Sequence, residues 1–268
     1  MSCMTGGACY GWGMARRTDT ALHLAQGGRP LYEEIRARLI ESISAGRWGA
    51  GEAIPTEREL ALTFGVAIGT IRKAVDSLVA ERALVRRQGR GTFVTQHDGS
   101  RQLFHFFHIV AREGGGKSEP EVATTGFARA RASAAEAAAL AIAPADKVIR
   151  IRNVLSLDAR AVMVDDITLP AALFPGLTEK TFVARNNTIY HLYQSRYGIN
   201  VLRTDERLRA VIAPADVAAL LQIAAGKPLL EIRRVALTFR DRPVELRVSH
   251  VDTTDHHYHN TLGKGMPA

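Results

Sequence analysis

At 268 residues, with 46% hydrophobic and 23% charged residues, the chain has ordinary globular composition and enough length for two cores. Its net charge of +8 suits a polyanionic partner; no run approaches the ~18 apolar residues of a membrane span, and both cysteines, Cys3 and Cys9, lie at the extreme N-terminus. A disulfide-framed fold, a cysteine-based zinc site and a helical membrane protein are therefore excluded, and a reducing cytoplasmic location is expected.

Residues 1–29 are Gly-rich and unpatterned. They are expected to be a disordered leader or residues foreign to the natural chain, with Met14 as an alternative start. Arg16-Arg17 has no apolar core after it, so an export signal is not expected. Next, Leu31, Ile35, Leu39 and Ile43 form one stripe of a first helix. Thr56 and Glu59 make a capping box for a second helix, whose apolar face is Leu60, Ala61 and Phe64 and whose end is Gly65. A third helix begins near Ala67, with Ile71, Ala74, Val75 and Leu78 on one face and Gly69, Arg72, Lys73 and Asp76 on the other. Two adjacent helices, the second presenting cations to solvent, match a helix-turn-helix that puts its recognition helix into the major groove of DNA. Leu84 to Arg87 and Thr92 to Thr95 can then pair around Gln88-Gly89-Arg90-Gly91, with Arg86, Arg87 and Arg90 close together. Helix-turn-helix plus basic hairpin is a winged helix, expected over residues 30–96. From Pro30 to His97 there are 10 Lys/Arg against 8 Asp/Glu. Binding should therefore rest on a few placed contacts more than on bulk charge.

His97-Asp98-Gly99-Ser100 is polar and turn-rich, and residues 97–102 are expected to be a linker. Beyond it the chain repeats itself. Ser133 and Glu136 cap an alanine-rich helix ending near Ala141, followed by strands Lys147 to Leu157 and Ala161 to Leu169 about a turn at Asp158-Ala159-Arg160. The same order returns with Pro214 at a first helical position, then strands Pro228 to Arg240 and Pro243 to Val251 about Asp241-Arg242. The strings VIRIRNV and LLEIRRV align, matching Arg152 with Arg233. A helix from Asn187 to Tyr197 lies between the two units. Helix plus hairpin twice over predicts an α+β domain with a mainly antiparallel sheet, and a ligand cleft where the halves meet. Ile149 and Ile151 share one face of their strand, Arg150 and Arg152 the other. The arginine face either meets solvent or lines the cleft.

Residues Leu31 to Val94 resemble the winged-helix domain of the GntR family of bacterial transcription regulators. GEAIPTERELALTFGV is close to that family's G-x-x-L-P-S-E-R-x-L-A-x-x-F-G-V, and RRQGRGTFV matches its wing. Where many members carry Ser-Arg at the start of the recognition helix, this chain has Ala67-Ile68, so that base-reading arginine is absent. The resemblance implies DNA contacts by Arg58, Thr70, Arg72, Lys73, Gly89, Arg90, Gly91 and Thr92. Phe104 to Leu262 resembles the UTRA effector-binding domain of the HutC-type branch, through VIRIRNV, DDITLPAALFPGL, NNTIYHLYQSRYGI, GKPLLEIRRVA and RPVELRVS. This implies, over residues 103–263, a fold shared with chorismate lyase and a site for a small, often anionic metabolite. The implied contacts are Arg150, Arg152, Asp165 (where Glu is usual), Thr188 and Glu245. The usual R-G-D-R-Y ending is replaced by SHVDTTDHHYHN, which argues against the commonest sugar-phosphate effectors.

His250, Asp252, Asp255, His256, His257 and His259 crowd the C-terminus, but no i, i+4 histidine pair stands on a helix. They are read as polar lining or solvated tail, and no metal or cofactor is expected. Asp165 and Asp166 point to opposite faces, so they cannot act as a catalytic pair. The whole predicts a regulator, most simply a repressor, that binds a double-stranded DNA operator as a homodimer under control of a small molecule. A lyase-type enzyme with a DNA-binding appendage is the rival reading, and a sequence-indifferent nucleoid protein a third.

Overall fold

The computed structural model describes residues 30–96, 107–112, 120–185 and 187–260. The expected leader 1–29 and linker 97–102 lie outside the described residues.

Helix α1 spans Leu31–Ser44, α2 Glu57–Phe64 and α3 Ile68–Ala80. At the start of α2 the Glu59 amide donates to Thr56 Oγ1 at 3.2 Å and the Thr56 amide donates to Glu59 Oε2 at 2.8 Å, the reciprocal bonds of a capping box. Gly65 ends α2 at φ +66°, a left-handed conformation that costs glycine little. Ile35, Leu39 and Ile43 from α1, Leu60 from α2, and Ile71, Val75 and Leu78 from α3 meet in one core. Leu31, expected in the α1 stripe, is the first helical residue and is exposed. The wing is the antiparallel pair β1 (Leu84–Arg87) and β2 (Gly91–Val94), in register from Leu84↔Val94 to Arg87↔Gly91.

The C-terminal half is α+β. Its six-stranded antiparallel sheet is ordered β4-β5-β6-β9-β8-β7, and a two-stranded ribbon pairs β3 (Ile109–Ala111) with β10 (His256–Tyr258). The predicted repeat is present. Helix α4 (Ala134–Leu140) leads into β5 (Lys147–Leu157) and β6 (Arg160–Pro170); α7 (Ala215–Leu221) leads into β8 (Pro228–Leu237) and β9 (Pro243–Val251). The repeats join through β6 and β9, and β4 (Glu121–Arg131) and β7 (Arg203–Ile212) form the edges. One face packs Val148 and Leu246 on α4, and Val164 and Leu229 on α7. The other packs Ile149, Ile151, Ile167 and Leu169 against Phe174, Phe182 and helix α6 (Ile189–Tyr197), which follows the short α5 (Glu179–Val183).

Three expectations are corrected. Pro214 is the N-cap of α7, not its first helical residue, and α6 begins at Ile189 after its cap Thr188. Strand β8 stops at Leu237, short of Arg240; Phe239–Asp241 form a 3-10 turn, with Arg240 at φ +58°. The turn carries Phe239 out of the sheet and into the core of the N-terminal head, where Leu202 also packs. Burial of that ring, which periodicity along β8 cannot foresee, ends the strand.

Candidate DNA interface and effector site

The tight link between α2 and α3 presents Arg72 on the side of α3 away from the core. Its Nε donates to Glu57 Oε2 at 2.9 Å, while Glu57 Oε1 accepts from Arg86 Nη2 at 2.9 Å. Arg86 Nη1 also reaches Asp76 Oδ1 at 2.6 Å. Glu57 thus links the third helix to the wing. In the sequence it reads only as a first-turn acid suited to the helix dipole. Lys73 Nζ stands 4.0 Å from the Tyr32 ring centroid, which orients it without neutralising it. Arg58 and Arg90 are exposed, with no carboxylate partner among the described residues. Thr70 is half-buried in the first turn of α3, where Ile68 is exposed. Gly89 and Gly91 have φ +70° and +110°, and a Cβ at either would meet nothing within 4 Å. The wing backbone is therefore open to close approach. Thr92 is half-buried, and its carbonyl accepts from the Ile54 amide at 2.9 Å, anchoring the wing.

The five residues expected to hold an effector are divided by the sheet. Asp165 and Glu245 lie on the α6 face, 1% and 0% exposed, and Arg247 binds both. Its Nη1 donates to Asp165 Oδ2 at 3.0 Å, and its Nε and Nη2 donate to Glu245 at 3.0 and 3.1 Å. Tyr190 and Tyr193 of α6 donate their hydroxyls to Glu245 at 3.2 and 2.6 Å. Burial, reinforced by Glu245, raises both phenol pKa values, so the hydroxyls stay protonated donors. Burial opposes the Arg247 charge, but Glu245 and Asp165 outweigh it and hold the guanidinium charged. Thr188 caps the same helix, accepting from the His191 amide at 3.1 Å.

Arg150 and Arg152 lie on the opposite face. Arg150 forms a bidentate pair with Glu136 at 2.9 and 2.8 Å, and that contact, against the effect of burial, holds the Glu136 carboxyl at about 2. Arg152 makes bonds of 2.6 and 3.0 Å to Asp166 and reaches Asp216 at 2.7 Å. With Thr168, Arg233 and Leu246 they line a cleft of about 600 Å³. The expectation that these arginines share one site with Asp165 and Glu245 is corrected: strand register sets Asn153 opposite Asp165, and Arg152 opposite Asp166. Sequence reasoning passed over Arg247, Tyr190, Tyr193 and Asn153. For Arg247 the signal was there, since it stands two residues from Glu245 and shares its face.

Helix α6 also touches the head. Gln194, the residue after Tyr193, donates Nε2 to the Thr95 carbonyl at 2.6 Å, just past β2. Arg240 reaches Glu41 of α1 at 3.1 Å beside the inserted Phe239. At the C-terminus, Asp252 pairs with Arg160 and Lys227, Asp255 pairs with Arg160, and His250 lies 3.7 Å from Glu231. No group of three metal-ligating side chains occurs among the described residues, nor does any helix there have the length and apolarity to cross a membrane.

Comparison with known proteins agrees with this architecture. Residues 31–94 match the bacterial regulatory proteins of the gntR family, and residues 116–257 match the UTRA domain. A fructoselysine utilization operon transcriptional repressor from Shigella flexneri is 31% identical over 222 residues, covering 81% of this chain and 88% of its own. The histidine utilization repressor of Klebsiella aerogenes is 32% identical over 206 residues, covering 76% and 83%. Among solved structures, the ligand-binding domain of a GntR-family regulator from Bordetella bronchiseptica is 36% identical with a TM-score of 0.56, covering 59% of this chain and 98% of that one. PhnF from Mycobacterium smegmatis is 25% identical with a TM-score of 0.51, covering 86% and 100%. A winged helix joined to a six-stranded UTRA sheet, in sequence and in fold, places this chain in the GntR family of bacterial transcription regulators, in its HutC-type branch.

Proposed function

We propose that the protein is a cytoplasmic repressor whose homodimer binds a two-fold operator, and that a small anionic metabolite at the α6 face of the sheet changes its operator affinity. One observation carries the regulatory half. Helix α6 puts Tyr190 and Tyr193 on the buried Glu245 and, one residue on, puts Gln194 on the backbone carbonyl of Thr95, just past the wing. A ligand that rearranges the Glu245–Arg247 cluster therefore acts on the element that touches the head. For allostery it must bind one head arrangement better than the other. The names of the relatives as operon repressors support negative control, and two heads supply the base contacts that one lacks.

The DNA half is tested at Arg72. Arg72→Ala should weaken binding to an operator selected from random DNA by about 1–3 kcal/mol, with unfolding temperature unchanged, since the side chain packs on no core residue. Fluorescence anisotropy at physiological salt measures it; unchanged affinity would show that α3 is not the reading helix.

The cleft at Arg150, Arg152 and Arg233 supports a second reading, in which the effector binds the opposite face. Effectors are found by thermal-shift screening of metabolites, then tested for release of operator DNA. Glu245→Gln should raise the half-effective concentration at least ten-fold, and Arg152→Ala should leave it within two-fold, as expected for a contact of about 1.4 kcal/mol or more. The reverse pattern assigns the effector to the cleft.

A further inference from the structure

Around the Glu245–Arg247 cluster most polar groups have partners. Glu245 accepts from Arg247 and both tyrosines, and Asp165 accepts from Arg247 and Ser249. Two donors differ. Arg185, just after α5, stacks its guanidinium 4.3 Å from the Phe182 ring centroid and donates Nη1 to the Phe182 carbonyl at 2.6 Å. That bond uses one of its five N–H groups, and no carboxylate meets the others among the described residues. The charge that reaches it is Arg247, which repels it; with burial as the larger cause, this lowers the Arg185 pKa, while Tyr193 opposes the shift. The second donor is Asn153, which is fully buried. Its Oδ1 accepts from Thr124 at 2.9 Å, but its Nδ2 has no partner. Across the strand it faces Asp165, which Arg247 holds.

An unpartnered buried donor is unfavourable, and so is a half-buried cation that a second cation repels. Arg247 repels the first and binds the carboxylate that faces the second, and acceptor oxygens relieve both. We propose that Arg185 is the anion-gripping residue of the effector site, binding the carboxylate or phosphate of the ligand beside Arg247, while Asn153 Nδ2 donates to a hydroxyl or carbonyl oxygen of the same molecule. The planar fork of Arg185, already oriented by Phe182, suits either anion in bidentate fashion. The ligand is then a small acid or phosphate ester bearing a further oxygen. This rests on the effector reading above, and adds to it the residue that selects for charge.

Isothermal titration of the full-length protein at constant ionic strength, with inorganic phosphate, acetate and glycerol 3-phosphate as probes, tests the proposal and separates phosphate from carboxylate. The wild-type chain should bind at least one anion saturably, one per chain, in the millimolar range. Arg185→Gln should weaken that binding at least ten-fold with operator affinity unchanged and the unfolding temperature no lower, and Arg185→Lys should retain part of it. Asn153→Leu should remove the advantage of glycerol 3-phosphate over phosphate. Equal binding of every probe by wild type and Arg185→Gln, or no binding by wild type at tens of millimolar, overturns the proposal. If anions bind through Arg185 yet no metabolite alters operator affinity, the anion site stands and the regulatory reading falls.

Discussion

Replacing Arg247 by leucine should lower the unfolding free energy by about 3–5 kcal/mol, because it leaves Asp165 and Glu245 buried without their cation. Both carboxylates accept from Arg247 and both are at most 1% exposed, so water cannot replace what is lost. The loss has a pH signature. A buried carboxylate without a counter-ion has its folded pKa pushed above its unfolded value. The folded variant then binds more protons than the unfolded chain between those two values, so its stability rises as pH falls through that window. Urea unfolding of wild type and Arg247→Leu at pH 5 and pH 7.5 should show the deficit shrinking at the lower pH. A deficit below about 1 kcal/mol, or one independent of pH, would mean that the pair contributes little beyond a well-packed apolar contact.

Phe239→Ala should destabilise the head by about 3 kcal/mol and separate its unfolding from that of the sheet domain, as expected for deleting a buried aromatic ring. Phe239 is 8% exposed and, among the described residues, is the one buried member of the head core that the C-terminal half supplies. The neighbouring pair Arg240–Glu41 is exposed on both sides and adds little. Calorimetry should show the wild-type transition splitting in two, the lower one belonging to the head. Operator release by effector should become weaker, since the Gln194–Thr95 hydrogen bond would be left to couple the sheet domain to the head without the inserted ring. An unsplit, unshifted transition would show that the ring fills the head without holding the two parts together.

What the chain declares by itself is what depends on neighbours in sequence. The capping boxes at Thr56 and Ser133 are local reciprocal hydrogen bonds, and both form as read. The helical stripe of α3 and the alternation of VIRIRNV are periodicities of the backbone itself, so the burial of Ile71, Leu78, Ile149 and Ile151 was legible. Glycines 89 and 91 sit at positive φ in the wing tip, as a tight hairpin demands. Even the separation of Asp165 from Asp166 follows from strand parity.

Tertiary structure decided which partner each charge has. Alternation puts Arg150 and Arg152 on one face, but only the β5–β6 register and the placement of α4 and α7 pair them with Glu136, Asp166 and Asp216, away from Glu245. Glu57 reaches Arg72 and Arg86 from residues 15 and 29 positions away. Phe239 leaves a strand whose pattern predicts that it continues, because the head core buries the ring. Electrostatic pairing and side-chain burial depend on distance in space, and a linear pattern carries only the part of that distance set by helix and strand repeats.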